Sequence, residues 1–259
     1  MKRFKLVVAY DGTNYCGWQI QPNGISVQEC LMKALSTFLR REIGASRTDS
    51  GVHSFGNVAV FDSETTIPAE KLCFALNPQL PEDIRIMSSA QVADYFHPRY
   101  CDTRKTYEYH IQNGKIPLPT ERLYSHLVIF PLDVEAMQEA GQYLVGTHDF
   151  KSFCASKTQA QTTVRTVTGI EVETHSLSEG EYPSQKVIIR VTGEGFLYNM
   201  VRIISGTLIK VGLGVYPPEY VKEILMKGTG FVGGKGRVCE IYQTEIDAGT
   251  RAKRIKAEY

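Results

Sequence analysis

The sequence predicts an α+β fold of two halves, each with helices packed on an antiparallel sheet. Segments with a period of two alternate with segments at helical spacing. Their order is strand, helix, strand, strand, and then strand, helix, strand, strand, helix, which differs from the regular alternation of a parallel sheet. We place the halves at residues 1–103 and 104–247, followed by a basic tail at 248–259.

The first half opens with a strand in which Phe4, Leu6, Val8 and Tyr10 share one face. Ser26-Val27-Gln28-Glu29 fits a capping box, in which the serine hydroxyl and the glutamate satisfy the first amides of a helix. The remaining predicted elements are this helix to about Arg41, a polar loop at 44–54, a strand at 57–61, a short helix at 72–76 and a strand at 84–92.

The second half begins with a strand at 106–111, and Asp133 then caps a helix. Strands at 166–173 and 186–192, an apolar helix at 197–211 and a last helix opened by Pro217-Pro218-Glu219 complete it. The glycine-rich segment 228–237 and the weak alternation after it predict a mobile segment and a frayed or edge-like final strand.

Composition narrows the class of protein. The 259 residues are 42% hydrophobic and 22% charged, which excludes collagen, coiled coil and disorder. No apolar run reaches the roughly 18 residues of a membrane span, and the start is unlike a signal peptide, so we expect a cytoplasmic protein without a membrane partner. The 29 basic and 28 acidic residues give a net charge of +1, so a nucleic-acid partner requires local basic patches.

Asp49 is a candidate nucleophile or general base. It stands in the polar loop Arg47-Thr48-Asp49-Ser50-Gly51-Val52-His53, where glycine permits a sharp bend and close approach of a ligand. The neighbouring Arg47 favours the ionised carboxylate. The alternative is a turn in which the carboxylate bonds nearby amides. His53 either assists acid–base chemistry or caps this loop.

Arg202 and Tyr107 can each be interpreted either as functional residues or as structural ones. Arg202 lies in a helix that is apolar nearly all round, so its charge requires an acidic partner, either in a functional site or in a structural ion pair. Tyr107 follows Arg104-Lys105, and a ring beside positive charge is typical of single-stranded nucleic-acid sites. Most tyrosines in strands are nevertheless core residues.

No cofactor or metal is predicted. The segments Gly193-Glu194-Gly195 and Gly233-Gly234-Lys235-Gly236 lack the dinucleotide and phosphate-loop patterns. The six cysteines form no Cys-x-x-Cys unit, which excludes zinc ribbons. A metal-dependent hydrolase remains one alternative, and it would use the side chains of Asp49, His53, His148 and Asp149.

Together these segments resemble the TruA-type tRNA pseudouridine synthases. The most specific piece is the Asp49 loop, which is similar to the family's Arg-Thr-Asp-x-Gly-Val-His motif. Four motifs support it in order: Tyr10-Asp11-Gly12-Thr13 with Gly17-Trp18-Gln19, Phe96-His97-Pro98-Arg99 leading to Lys105-Thr106-Tyr107-Glu108-Tyr109, Gly146-Thr147-His148-Asp149-Phe150, and Phe196-Leu197-Tyr198-Asn199-Met200-Val201-Arg202. Two departures are Ser46, where the family often has glycine, and segment 228–246, which lacks the family's usual Ala-Pro-Ala-x-Gly-Leu ending.

The resemblance implies isomerisation of uridine to pseudouridine at tRNA positions 38, 39 and 40 of the anticodon stem-loop, without cofactor or metal. Asp49 would be the catalytic nucleophile, and Arg202 would pair with it. Tyr107 would stack on the base and act in catalysis, and Arg47 and His53 would bind the substrate.

The resemblance also implies that both halves form one extended antiparallel sheet, with the active-site cleft between them, and that a homodimer shares the tRNA. Phosphate contacts would come from basic side chains, for which the candidates are Arg40, Arg41, Arg99, Arg104, Lys105, Lys235 and Arg237. A non-catalytic RNA-binding protein or RNA chaperone on the same scaffold is the alternative.

Overall fold

A computed structural model describes residues 1–36, 44–155, 160–227 and 241–252, with the backbone alone for Lys227 and for 241–252. The chain divides into two compact units. The first contains Met1–Arg104 and the chain from Gln243 onward, and the second contains Lys105–Tyr242. Each unit combines helices with mainly antiparallel strands, and the predicted α+β class is confirmed.

The first unit is built on a central strand, β1, that pairs antiparallel with a strand on either side. Leu6 lies opposite Ala59 on one side and Ser89 on the other. The strands of this unit are β1 (Lys2–Tyr10), β2 (Gly44–Ala45), β3 (His53–Ser63), β4 (Ile84–Val92) and β10 (Ile241–Ala252). β2 pairs with β3, and β10 follows β3 in the strand order.

The described residues of the first unit include two α-helices, α1 (Val27–Ser36) and α2 (Leu72–Leu76). The predicted cap of α1 is confirmed, since the Glu29 amide donates to Ser26 Oγ at 3.2 Å. The predicted extension to Arg41 lies outside the described residues. The apolar face of β1 packs into one core with both helices, and its fully buried side chains include Phe4, Leu6, Leu31, Leu35, Leu76 and Ile84.

The second unit has an antiparallel sheet in the order β5, β9, β8, β7. Its strands are β5 (Cys101–Asn113), β6 (His126–Val128), β7 (Gly146–Asp149), β8 (Val164–Ser178) and β9 (Ser184–Gly193). β6 pairs parallel with β5, which departs from the purely antiparallel prediction. The loop after β5 carries the chain back along the strand, so β6 runs in the same direction as β5.

In the part of the second unit that the structure describes there are three α-helices, α3 (Val134–Gln142), α4 (Met200–Gly212) and α5 (Tyr220–Lys227). The Asp133 carboxylate accepts from the Ala136 amide at 2.9 Å, which confirms the predicted cap of α3. α4 packs against α3 and is buried at every position except Lys210. This burial agrees with its apolar sequence, because a helix without a polar face has no side suited to water.

The C-terminal part of the chain is described only in part. Residues 228–240, where we predicted a mobile segment, lie outside the described residues. Beyond them β10 is one continuous strand of twelve residues that runs past residue 248, where we placed the start of the tail. Backbone pairing does not need strict alternation of side chains, which explains why the sequence pattern was weak here. No helix in the described ranges is long and apolar enough to cross a membrane.

Candidate functional site

Asp49 lies in the loop that connects β2 to β3, at residues 46–52. Its side chain is half-buried, between an exposed Arg47 and an exposed Ser50. The Asp49 carbonyl accepts from the Val52 amide at 3.2 Å, and Gly51 has a φ of 74°. This left-handed turn requires glycine, because other residues rarely adopt it. The loop therefore brings its carboxylate to the surface at a fixed bend.

The turn at 11–18 supports this loop from behind, through two glycines. A Cβ added at Gly12 would lie 2.1 Å from the Val52 carbonyl oxygen. One added at Gly17, whose φ is +85°, would lie 2.5 Å from the Thr48 carbonyl oxygen. That same carbonyl accepts from the Trp18 amide at 3.1 Å. Backbone therefore packs directly on backbone, and any side chain at these two positions would displace the Asp49 loop.

Buried polar side chains of the sheet hold the loop residues that precede Asp49. The Tyr10 hydroxyl and Thr48 Oγ1 are 2.8 Å apart, and Asn57 Nδ2 donates to the Ser46 carbonyl at 3.0 Å. Burial raises the pKa of Tyr10, so the phenol stays protonated and can donate. These bonds hold Thr48, the residue directly before Asp49, below the surface.

Tyr15 contacts the other end of the loop. Its carbonyl accepts from the Gly51 amide at 3.2 Å and from Ser50 Oγ at 3.4 Å. Its hydroxyl donates to Asp83 Oδ1 at 2.5 Å, just before β4 begins. The main chain of Asp83 accepts from the Asp11 amide at 2.9 Å. Asp83 is therefore linked to the turn at 11–18 at two points.

His53 faces this turn as well. Its imidazole is buried, and Nδ1 lies 3.2 Å from the Gly12 amide nitrogen and 3.0 Å from Asp11 Oδ1. One tautomer accepts from Gly12, and the other donates to Asp11. These contacts join the start of β3 to the turn at 11–18. A contact between His53 and substrate stays a prediction.

Tyr107 and Arg202 belong to the second unit. Tyr107 lies on β5, is 9% exposed, and its ring meets the Phe196 ring edge to face with 5.1 Å between centroids. Arg202 is 7% exposed in the first turn of α4. Asn199, which precedes this helix, has a φ of 59°, the left-handed region that asparagine tolerates. The pairing of Arg202 with Asp49, which belongs to the other unit, stays a prediction.

The residues of the metal-hydrolase alternative have local hydrogen bonds. His148 Nε2 is 3.0 Å from the Val145 carbonyl, and Asp149 Oδ1 accepts from the Lys151 amide at 3.1 Å and from Thr163 Oγ1 at 2.5 Å. Within the described ranges, no group of three or more histidine, cysteine, aspartate or glutamate side chains could hold a metal ion.

The predicted RNA-binding residues are described in part. Arg99 and Arg104 are exposed and Lys105 is half-buried. The other four, Arg40, Arg41, Lys235 and Arg237, lie outside the described residues. Exposed cations are available to phosphate groups, which is what the prediction requires of Arg99 and Arg104.

Sequence reasoning missed the supporting roles of Tyr15, Asp83 and Asn57. Tyr15 is enclosed by two motifs that we singled out, and its position between Gly12 and Gly17 could have drawn attention to it. Asp83 had no comparable signal, because it lies 68 residues from its partner in a turn of ordinary composition.

Comparison with known proteins places these features in a family. A family model described as tRNA pseudouridine synthase matches residues 6–101 and 140–229. A protein of Thermoanaerobacter sp. (strain X514) named tRNA pseudouridine synthase A is 46% identical over 87% of this chain and 90% of its own length. A protein of Clostridium perfringens (strain 13 / Type A) named tRNA pseudouridine synthase A 2 is 46% identical over 88% of this chain and 91% of its own. A protein of Brevibacillus brevis (strain 47 / JCM 6285 / NBRC 100599) named tRNA pseudouridine synthase A is 44% identical over 87% of this chain and 90% of its own length.

Proposed function

Because the chain belongs to the tRNA pseudouridine synthase family, we propose that it isomerises uridine to pseudouridine in the anticodon stem-loop of tRNA, at positions 38, 39 and 40. The Asp49 loop carries this proposal. It presents a half-buried carboxylate on a bend that two glycines and a buried threonine fix from behind. The family match covers the whole loop.

The proposed reaction uses the Asp49 carboxylate as a nucleophile toward the flipped uridine or its ribose. The bond between N1 and the ribose C1′ breaks, the base turns, and a new bond forms between C5 and C1′. N1 gains a proton, C5 loses one, and the carboxylate is released, so the reaction is an isomerisation without added reagents. A reaction without added reagents depends mainly on the position of the carboxylate relative to the uridine.

Three other side chains support this chemistry. Arg202 would pair with Asp49 and hold it ionised, which explains a buried guanidinium in an apolar helix. Tyr107 would stack on the target base and help remove the C5 proton, with its ring held by Phe196. Arg47 is exposed beside Asp49 and would contact the phosphate or ribose of the target. His53, whose imidazole lies against the turn at 11–18, would also bind the substrate.

The substrate and assembly belong to the same proposal. The enzyme would act on tRNA in the cytoplasm, and the exposed Arg99 and Arg104 would bind the tRNA phosphates. A homodimer would share one tRNA. Light scattering with and without tRNA measures the subunit number directly.

Release of tritium from C5 of labelled uridine in a tRNA transcript tests the reaction. We expect release by the wild type, none by Asp49→Ala, and none by Asp49→Glu, because an extra methylene displaces the reacting oxygen. Affinity for tRNA should change little, since phosphate contacts dominate binding. Asp94→Ala, the same change at an exposed aspartate, is the matched control and should keep full activity.

Two results would contradict the proposal. Turnover by pure Asp49→Ala would exclude this carboxylate as the nucleophile. Tight tRNA binding by a wild-type protein that releases no tritium would instead favour the non-catalytic RNA-binding alternative.

A further inference from the structure

We infer that Tyr15 and Asp83 are positioning residues for the Asp49 loop, acting on catalysis through the backbone without touching the substrate. This inference rests on the proposed function, in which Asp49 is the nucleophile. Neither residue lies in the loop that would carry the chemistry, and they are 68 positions apart in the chain.

The first link runs from Tyr15 to the loop. The Tyr15 carbonyl accepts from the Gly51 amide at 3.2 Å, and Gly51 is the left-handed residue of the turn that displays Asp49. The same carbonyl accepts from Ser50 Oγ at 3.4 Å. Ser50 and Gly51 directly follow Asp49, so a shift of the Tyr15 main chain would reorient the nucleophile.

The second link fixes Tyr15 itself. Its hydroxyl donates to Asp83 Oδ1 at 2.5 Å, and its amide donates to the Gly12 carbonyl at 3.0 Å. Asp83 in turn accepts from the Asp11 amide at 2.9 Å through its own main chain. Asp83 therefore holds both ends of the short turn from Asp11 to Tyr15, and this turn contacts the catalytic loop at Val52 through Gly12.

The hydroxyl of Tyr15 orients the residue through its hydrogen bond, whereas the packing of the ring does not require a hydroxyl. Tyr15 is 7% exposed and belongs to the apolar core of the first unit, where a phenylalanine ring would fill almost the same volume. Burial and the adjacent Asp83 carboxylate both raise the pKa of Tyr15, so the phenol remains a hydrogen-bond donor. Removing only the hydroxyl thus separates orientation from packing.

Single-turnover tritium release, tRNA affinity and thermal stability of the full-length protein, measured together, test the inference. We expect Tyr15→Phe to slow the chemical step about tenfold, the effect of losing one hydrogen bond to a charged acceptor, with unchanged tRNA affinity. Tyr182→Phe removes a hydroxyl from an exposed tyrosine and is the matched control. It should behave as wild type in all three measurements.

A second set of variants tests the pair. Asp83→Asn keeps an oxygen that can accept from the phenol and should retain most of the rate, whereas Asp83→Leu should match Tyr15→Phe. The double variant should be no slower than either single variant, because both remove one interaction. Amide exchange at Gly51 and Val52 should rise in Tyr15→Phe and Asp83→Leu, and stay low in Asp83→Asn.

Wild-type rates in Tyr15→Phe, or additive losses in the double variant, would overturn the inference. A loss that appears only as a lower melting temperature, with an unchanged chemical step in the folded protein, would overturn it too. Two controls in the same assay separate the levels. If the wild type releases no tritium the proposed function fails, and if Asp49→Ala releases tritium the nucleophile assignment fails. If the wild type is active and Asp49→Ala inactive while Tyr15→Phe is normal, only the positioning role fails.

Discussion

Replacing Gly17 with alanine tests how tightly the turn at 11–18 fixes the Asp49 loop. The new Cβ would lie 2.5 Å from the Thr48 carbonyl oxygen, while ordinary contacts begin at 3.4 Å, so that carbonyl must retreat by about 0.9 Å. Thr48 directly precedes Asp49. A misplacement of about 1 Å costs on the order of 100-fold in rate, and we expect a fall of that size in tritium release.

Gly17→Ala should lower the stability of the folded protein less severely than it lowers the rate. Gly17 has a φ of +85°, and a left-handed alanine costs roughly 1–2 kcal/mol, which lowers the melting temperature by a few degrees in a chain of this length. Gly214 has a φ of +70° and nothing within 4 Å of an added Cβ. Gly214→Ala therefore carries a similar backbone cost without the displacement.

The comparison between the two variants decides the outcome. Both should lose stability, Gly17→Ala more because backbone must also shift, and only Gly17→Ala should lose turnover. If Gly17→Ala turns over tRNA like the wild type, or if Gly214→Ala loses as much activity, the displacement of Thr48 is not what limits the reaction.

Three further predictions concern other parts of the molecule. Arg202→Lys should reduce turnover steeply while the protein stays folded by circular dichroism, because lysine lacks the planar two-pronged geometry for pairing with a carboxylate; near-normal turnover would make Arg202 a structural residue. Asp133→Ala should lower the melting temperature by about 2–4 °C through loss of roughly 1 kcal/mol at the cap of α3, with tritium release unchanged. Burial lowers the pKa of His110 from its ordinary value of 6.5, so the unfolded chain binds the proton first and stability is lost as pH falls below that value. The drop in melting temperature between about pH 7.5 and about pH 5.5 should be smaller in His110→Gln, and an equal drop would exclude His110 as its source.

Local sequence patterns predicted those elements whose cause is local. The strand at 84–92 and the helix at 72–76 have the predicted bounds, and the caps by Ser26 and Asp133 form as expected. The short strands β2, β6 and β7 were missed, because two to four residues carry no readable periodicity.

The candidate site shows the same division. The motif around Asp49 indicated the nucleophile, and the two glycine-containing motifs before it indicated support, but not of what kind. The physical reason emerged only from the structure, in which Gly12 and Gly17 leave room for the backbone of the Asp49 loop. The link between Tyr15 and Asp83 depends on distant segments meeting in space, which periodicity cannot report.

The position of β10 has a consequence for synthesis on the ribosome. The first unit contains the catalytic loop, yet it also contains the chain from Gln243 onward. While the second unit is being translated, the side of β3 that β10 adjoins still lacks this strand, and an open strand edge invites pairing with other chains. The second unit is one continuous stretch of chain and can fold as it is synthesised. The first unit can be completed only after the residues from Gln243 onward have been made.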